Sequence, residues 1–426
     1  MVAGPAAAGS ARIAPVPITR RQALARLTAA ALGTSTLRAE SLPPIRALTR
    51  GPKHHWFGYY DKWEFDPTSR YVLGMEVDFE HRSPKPDDVI RVGMVDTDDG
   101  DRWTELGKTS AWCWQQGCML QWVPGSKSEV IWNDREDGDY VSRILDMNSG
   151  KTRTLPHAVY ALAPSGRWAV TTDFRRLNDT RPGYGYAGIP DPNAGTLEPD
   201  DVGVWKMDLS SGKTELIFSV AQAAAVPNPH NDTKGLKHYF NHLLVSPDEK
   251  RLIFLHRWRY PADSGRTFGT RMFTVGSDGK APFVLDPYGK TSHFIWRDPE
   301  HVLAWAWHPS HEDAFYLYRD QSDEVEVVGK DVMPVNGHCT YLPDGKWILN
   351  DTYPDKQRLQ HPYLFEIATG RRVPLAHLSS PPEYVGEWRC DNHPRYSPDG
   401  RKVVVDSPHG GAGRQLYLID ISEITG

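Results

Sequence analysis

The chain has 426 residues and a net charge of −5, with 24% charged and 39% hydrophobic residues. That balance excludes a globally basic nucleic-acid binder, and no window reaches the ~18–20 consecutive apolar residues of a membrane-spanning helix. Four cysteines, none in a Cys-x-x-Cys pair, exclude a disulfide-built scaffold and speak against a thiolate metal site.

Residues 1–40 differ in composition from the rest. Thr19-Arg20-Arg21-Gln22-Ala23-Leu24 precedes a short apolar run, Leu27 to Leu32, with small residues near Ala39. This reads as a twin-arginine export signal, and it predicts a periplasmic or secreted protein. Residues 41–426 are then expected to form one domain.

From about residue 55 a weak repeat runs to the end. Each unit is an apolar strand, a turn rich in Pro, Asp and Gly, and a second apolar strand. The seven units are FDPTSRYVLG from Phe65, WVPGSKSEVIW from Trp122, LAPSGRWAVT from Leu162, VSPDEKRLIF from Val245, WRDPEHVLAW from Trp296, LPDGKWILN from Leu342 and SPDGRKVVV from Ser397. Proline presets φ at the turn while Asp and Gly accept its geometry, so each unit is a hairpin. Further strands follow in many units, among them VGMVD, SRILDM, RMFTV and QLYLIDI. Seven copies, roughly 40–80 residues apart, predict an all-β, seven-bladed β-propeller. Ahead of the first hairpin, His54 to Lys62 is dense in aromatic and titratable groups. It reads either as a binding rim, through His55 and Tyr60, or as an aromatic staple closing the ring against the last blade. Insertions at 175–201 and 220–240 are expected as loops on one face, with a short helix over Gln222 to Val226.

Four histidines recur at one place in the repeat: His242 in HLLVSP, His293 in HFIWRDP, His338 in HCTYLP and His393 in HPRYSP. In a propeller the first strand of every blade lines the channel, so these side chains should converge near the axis. Asp391 stands two residues before His393, and strand alternation would put both on one face. Three O/N ligands, His338, Asp391 and His393, suit a divalent ion such as Mn2+, Ca2+ or Zn2+. Arg271, opening RMFTV, could hold a substrate carboxylate bidentately. Arg175, Arg176, Tyr184 and Tyr186 on the 175–201 insertion form a rival cluster, where a Tyr/His pair with Arg could do acid/base work. A glycoside hydrolase would need two paired carboxylates, and Asp351 and Asp173 are candidates with no partner in the sequence. No GxSxG or P-loop supports a serine nucleophile or nucleotide binding.

The second half resembles the oligogalacturonate lyases. The segments that carry the resemblance are GTRMFTVGSDGK, TSHFIW, GHCTYLPDGKWILND, HPYLFEIATG and HPRYSPDGRKVVVDSPHGGAGRQLYLIDI, in the family's order, over about residues 240–421, with a fainter match from His55 to Arg70. The resemblance implies a seven-bladed, divalent-metal-dependent polysaccharide lyase acting on a uronate-containing oligosaccharide. It implies His293 as catalytic base, Arg271 as substrate-binding arginine, and His338 and His393 as metal ligands, with His242 behind them or assisting the leaving group. Manganese is the first expectation. Here Trp388 replaces the family's Gln, and Asp391 replaces a His. Two other readings stay open: a lyase for a glucuronan-, ulvan- or rhamnose–glucuronate-like glycan that uses His55, Tyr184 and Arg175, and a non-catalytic carbohydrate-binding propeller.

Overall fold

The structure, a computed structural model, describes residues 41–426; the export-signal reading of residues 1–40 lies outside them. The described residues form seven four-stranded antiparallel sheets. Six are blades that run outward in chain order, starting at His54–Trp56, Gln121–Trp122, Ala161–Leu162, Lys237–Val245, Phe294–Trp296 and Thr340–Tyr341; in the last of these Leu359–Gln360 leaves the blade to pair with Leu378–Ser379. The seventh closes the ring. Its inner three strands are Arg395–Tyr396, Lys402–Ser407 and Gln415–Asp420, and its outermost strand is Ile45–Ala47 from the other end of the chain. Ile45 pairs with Ile419 and Ala47 with Tyr417.

The hairpin turns form as their composition dictates. In the VSPDEK turn, Ser246 Oγ accepts the Arg251 N–H at 2.9 Å and donates to Asp248 at 2.8 Å. Ser397 repeats the pattern, accepting the Lys402 N–H at 2.9 Å and donating to Asp399. Alternating Val, Ile, Leu and Phe from each turn's flanking strands fill the space between blades. Many of the tryptophans belong here: Trp56, Trp112 and Trp114 pack together, buried, with ring centroids 5.1–5.6 Å apart. All four cysteines are buried and free.

The first blade departs from the sequence reading. Phe65 makes only a single bridge, to Val72, and the regular inner strand is His54–Trp56. Between them residues 57–64 leave the sheet and fill the axis. Gly58 permits this at φ +104°, where an added Cβ would stand 2.9 Å from the Gln116 backbone. The Phe57 and Gly58 N–H groups donate to Asp406 at 3.2 and 3.1 Å. The Tyr60 hydroxyl donates to the Phe294 carbonyl at 2.9 Å and accepts its N–H at 3.0 Å. Asp61 pairs with Lys62 and with His242, each at 3.1 Å. His55 does lie against the last blade, through Gln415 at 2.9 Å. The staple reading therefore describes this segment; the rim reading does not.

Below the plug the axis opens into a cavity of about 400 Å3, lined by residues that follow the four histidines, among them Leu244, Trp296, Tyr341 and Tyr396. Glu64 stands at its edge, fully buried, with both oxygens 3.0 Å from the Arg395 guanidinium that also binds Asp406. Burial raises the Glu64 carboxyl to about 7, against the opposing pull of Arg395. The folded protein therefore keeps a proton that the unfolded chain loses above its ordinary value of about 4.5. The sign follows: stability from this group falls as pH rises from about 4.5 to 7. Urea-denaturation midpoints measured between pH 5 and 7.5 should decline less steeply in Glu64→Gln than in the native protein.

Candidate active site

The four histidines reach one place because each ends the inner run of its blade. His293 directly precedes Phe294–Trp296, and His338 and His393 each stand two residues before their strands. His242 sits where the pairing of Lys237–Val245 slips, between Asn241 and Leu243. Two of them need a left-handed backbone, His242 at φ +51° and His393 at φ +42°, a conformation uncommon outside glycine and concentrated at functional positions. Ring centroids are 4.1 Å apart for His293–His338 and 4.2 Å for His338–His393. Tyr59 and Tyr60 of the plug pack against the cluster, 5.3 Å from His393 and 5.4 Å from His338.

His338, Asp391 and His393 each offer a ligand atom, all within 4.8 Å of one another, and all three are buried. Asp391 and His393 do not meet by strand alternation, because neither is in a strand. The turn at His393 brings them together. Asp351, fully buried, organises the group. It accepts the backbone N–H of His338 at 2.7 Å, that of His393 at 3.1 Å, and His338 Nδ1 at 2.9 Å. A carboxylate on Nδ1 fixes the tautomer and leaves the lone pair on Nε2, the arrangement metal-binding histidines need. That Nε2 is buried without a partner among the described residues. Burial first, and His338 beside it, hold His393 well below the ordinary histidine value, so its nitrogen is also free to ligate. Two imidazoles and a carboxylate, with no thiolate, fit a divalent ion of borderline or hard character.

His293 stands next to this group without belonging to it. Its Nδ1 lies 3.0 Å from Asn336 Oδ1, which accepts the N–H and directs the Nε2 lone pair elsewhere. Burial, and then His338, keep it well below the usual histidine value, hence neutral. The Tyr353 ring lies 6.2 Å from His293 and 5.6 Å from His338.

The rival clusters of the sequence analysis share Tyr184. Arg389 donates to Asp391 at 2.7 Å through Nε and to the Tyr184 hydroxyl at 2.7 Å through Nη2. Arg181 lies over the Tyr184 ring, 4.1 Å from its centroid. Burial pushes this phenol up, but the two guanidiniums outweigh it, and Tyr184 sits below the ordinary tyrosine value.

Five other candidates lie elsewhere or face away. Arg271 is one residue out of phase with the face it would need; its guanidinium is buried and donates to the carbonyls of Ala223, Val226 and Pro227 and to His256 Nδ1. It clamps the end of the short helix Val220–Ala225, where a cation complements the carbonyl ends. His242 pairs through Nε2 with Asp61 and stacks on Phe294 at 4.0 Å, so it supports the plug, while its Nδ1 is buried without a partner among the described residues. His55 is buried between Gln415 and Glu76. Tyr60 is locked to Phe294, as described. Arg175 is paired with Asp173, which caps the helix Phe174–Thr180. Asp173 and Asp351 are thus each committed to a separate structural task, and no hydrolase pair results.

Sequence reasoning passed over Asp351 as a hub, and missed Asn336, Arg389 and Arg181 altogether. Asn336 and Arg389 each stand two residues before a predicted ligand, His338 and Asp391. That spacing was the available signal.

No protein-family model and no curated protein sequence matches the chain. Among solved structures, oligogalacturonate lyase from Vibrio parahaemolyticus superposes with a TM-score of 0.63 at 14% identity, over 90% of this chain and 94% of that one. An oligogalacturonate lyase in complex with manganese gives 0.65 at 15% identity, over 89% and 94%. The propeller domain of the Trilobed protease from Pyrococcus furiosus follows at 0.49 and 9% identity, over 87% and 94%. In fold, this chain is a seven-bladed β-propeller similar to the oligogalacturonate lyases over about nine-tenths of its length.

Proposed function

We propose that the protein is a metal-dependent lyase that cleaves oligosaccharides at a 4-linked uronic acid by β-elimination. One observation carries the reading: a buried His338–Asp391–His393 group stands beside a neutral, separately oriented imidazole, His293. The likeness in fold to a lyase crystallised with manganese supports it. His338, Asp391 and His393 would hold the ion. When bound, a divalent cation draws charge from the sugar's C6 carboxylate and so acidifies the C5 proton.

The remaining work belongs to side chains. His293 accepts the C5 proton on Nε2 while Asn336 holds the opposite edge of the ring, as a positioned general base requires. The electron pair of that C–H bond forms the C4–C5 double bond as the C4–O bond breaks. Tyr184 returns a proton to the departing oxygen: its hydroxyl oxygen accepts from Arg389, which leaves its own hydrogen free to donate. Arg389 and Arg181 offset negative charge that builds on the sugar and on the phenol. Burial of the whole group strengthens each of these interactions. The leader of residues 1–40 belongs with this proposal, since export would bring the enzyme to extracellular or periplasmic glycan.

The test is direct. Incubation with homogalacturonate, glucuronan, ulvan-type and rhamnose–glucuronate oligosaccharides should give a 4,5-unsaturated, ultraviolet-absorbing end from at least one of them. Chelation should remove that activity and Mn2+ restore it, with Ca2+ and Zn2+ as comparison ions. Saturated products, or activity indifferent to chelator, would refute the reading.

A further inference from the structure

Among the described residues, blade 6 carries a feature that no other blade has. Two segments outside its sheet, Leu359–Gln360 and Leu378–Ser379, pair with each other as a small two-stranded sheet. Leu359 stands opposite Ser379, and Gln360 opposite Leu378. The next position in that register sets His361 opposite His377. Directly opposed residues of an antiparallel pair have Cβ atoms about 4.5–5.5 Å apart, close enough for two imidazoles to meet. They do meet: Nδ1 of His361 and Nδ1 of His377 are 2.7 Å apart, with ring centroids at 4.9 Å.

The pair is oriented from behind. His361 Nε2 lies 3.0 Å from Asp355 Oδ2, and an ionised carboxylate only accepts, so that nitrogen carries a hydrogen. In the singly protonated ring the lone pair is then on Nδ1, aimed at His377. Asp355 is itself fixed, because its Oδ1 accepts the backbone N–H groups of Gln357 and Leu359 at 2.8 and 2.9 Å. The His361 backbone N–H is held by Thr352 Oγ1 at 3.1 Å. A carboxylate behind a histidine whose other nitrogen is free to bind is the arrangement that orients imidazoles on a metal. Unlike the axial histidines, both rings can be reached from solvent: the His361 side chain is 22% exposed, and His377 is exposed.

We propose that His361 and His377 form a second, peripheral metal site, for a borderline transition ion such as Zn2+ or Cu2+. The ion takes the place of the hydrogen now between the two Nδ1 atoms, His377 then carries its hydrogen on Nε2, and water fills the remaining positions. Zinc sits ~2.0–2.1 Å from an imidazole nitrogen, and a tetrahedral angle sets two such nitrogens about 3.3 Å apart, so the pair opens by about half an ångström. The exposed His377 ring allows that. Asp355 is committed to the far edge of His361, so the ion meets nitrogen alone from the protein. Mn2+ and Ca2+, which favour oxygen, are poor occupants, and affinity rises towards Ni2+ and Cu2+. The site also has a structural use. Arg358 donates to the carbonyls of Ser380 and Pro381, so the same two segments are already laced together. One runs back to Asp351, the other on to Arg389 and Asp391. An ion at the pair clasps both and stiffens the frame of the axial site from outside. The inference stands on the geometry of the pair and is independent of the lyase reading.

Calorimetric titration with Zn2+ alone, on the full chain, tests this. His361→Ala and His377→Ala should each bind one equivalent of Zn2+ fewer than the native protein, whatever the axial group takes up. The double variant should lose no more than either single one, because the two rings share one ion. Asp355→Asn should weaken that equivalent about 10–100-fold, the usual effect of losing the group behind a metal-bound histidine. Mn2+ uptake should be the same in all of these chains. Saturating Zn2+ should raise the thermal midpoint by about 2–5 °C more in the native protein than in His377→Ala. An equal zinc count in native protein and single variants overturns the proposal. So do additive losses in the double variant, which mean two separate surface histidines, and unaltered zinc affinity in Asp355→Asn. A manganese count that falls with the zinc count removes the nitrogen-only assignment, and an equal thermal rise in both chains removes the clasp.

Discussion

Alanine at His293 is expected to lower turnover on the cleaved uronate by about 10²–10⁴-fold or more, the usual range for a positioned base, while the protein still takes up one equivalent of divalent ion. The separation follows from geometry. His293 is held by Asn336 and lies outside the ligand group, whose three members are oriented by Asp351 and Arg389. Its removal leaves a space on the site wall and no unpaired buried charge, since the ring is neutral. Metal analysis and the unsaturated-product assay on the same preparation check both halves. Tyr184→Phe should also slow turnover, because it deletes the hydroxyl that faces Arg389. If Tyr184→Phe abolishes activity and His293→Ala does not, the base is the phenol and His293 loses its role.

Asp351→Ala is expected to have the largest effect on the ion. It removes the acceptor of two backbone N–H groups and of His338 Nδ1 at once, all buried. Loss of the partner behind a metal-bound histidine usually costs 10–100-fold in affinity, and here the same side chain also fixes the His393 turn, so about 100-fold or more is expected. Stability should fall by about 3 kcal/mol or more, since several donors are left unsatisfied together. Calorimetric manganese titration and thermal denaturation measure the two. Asp351→Asn keeps one oxygen acceptor and should fall between. Unchanged affinity in Asp351→Ala would mean that His338 does not ligate through Nε2.

Much of this architecture is legible in the sequence, for reasons that can be named. A hairpin turn is a local object, and SPDEK or LPDGK specifies it within six residues, so counting such turns counts blades. The register of the histidines before those turns is equally local, and it places His293, His338 and His393 at the same end of neighbouring inner strands. What the sequence hides is anything set by contact between distant segments. Asp351 follows a strand with nothing to mark it, and its role arises only when His393, 42 residues on, folds beside it. Arg271 shows the limit from the other side: its motif suggests a substrate contact, but one residue of strand phase turns the guanidinium to the opposite face of blade 4 from Arg257 and Thr270. The insertion carrying Tyr184 reads as a competitor of the histidine group, because no local rule says that a loop of blade 3 ends beside Arg389 of blade 7.

The segment that fills the axis between residues 57 and 64 has a consequence for how a polymer can be handled. With Tyr60 fastened to Phe294 and Asp61 to His242, the segment forms one wall of the axial cavity, and none of the four histidines lines that cavity. On the proposed lyase reading, a glycan would therefore not be threaded through the ring and cut as it slides. On that reading the glycan would be laid across the histidine side or inserted there by one end, and the two fragments would leave from the same side.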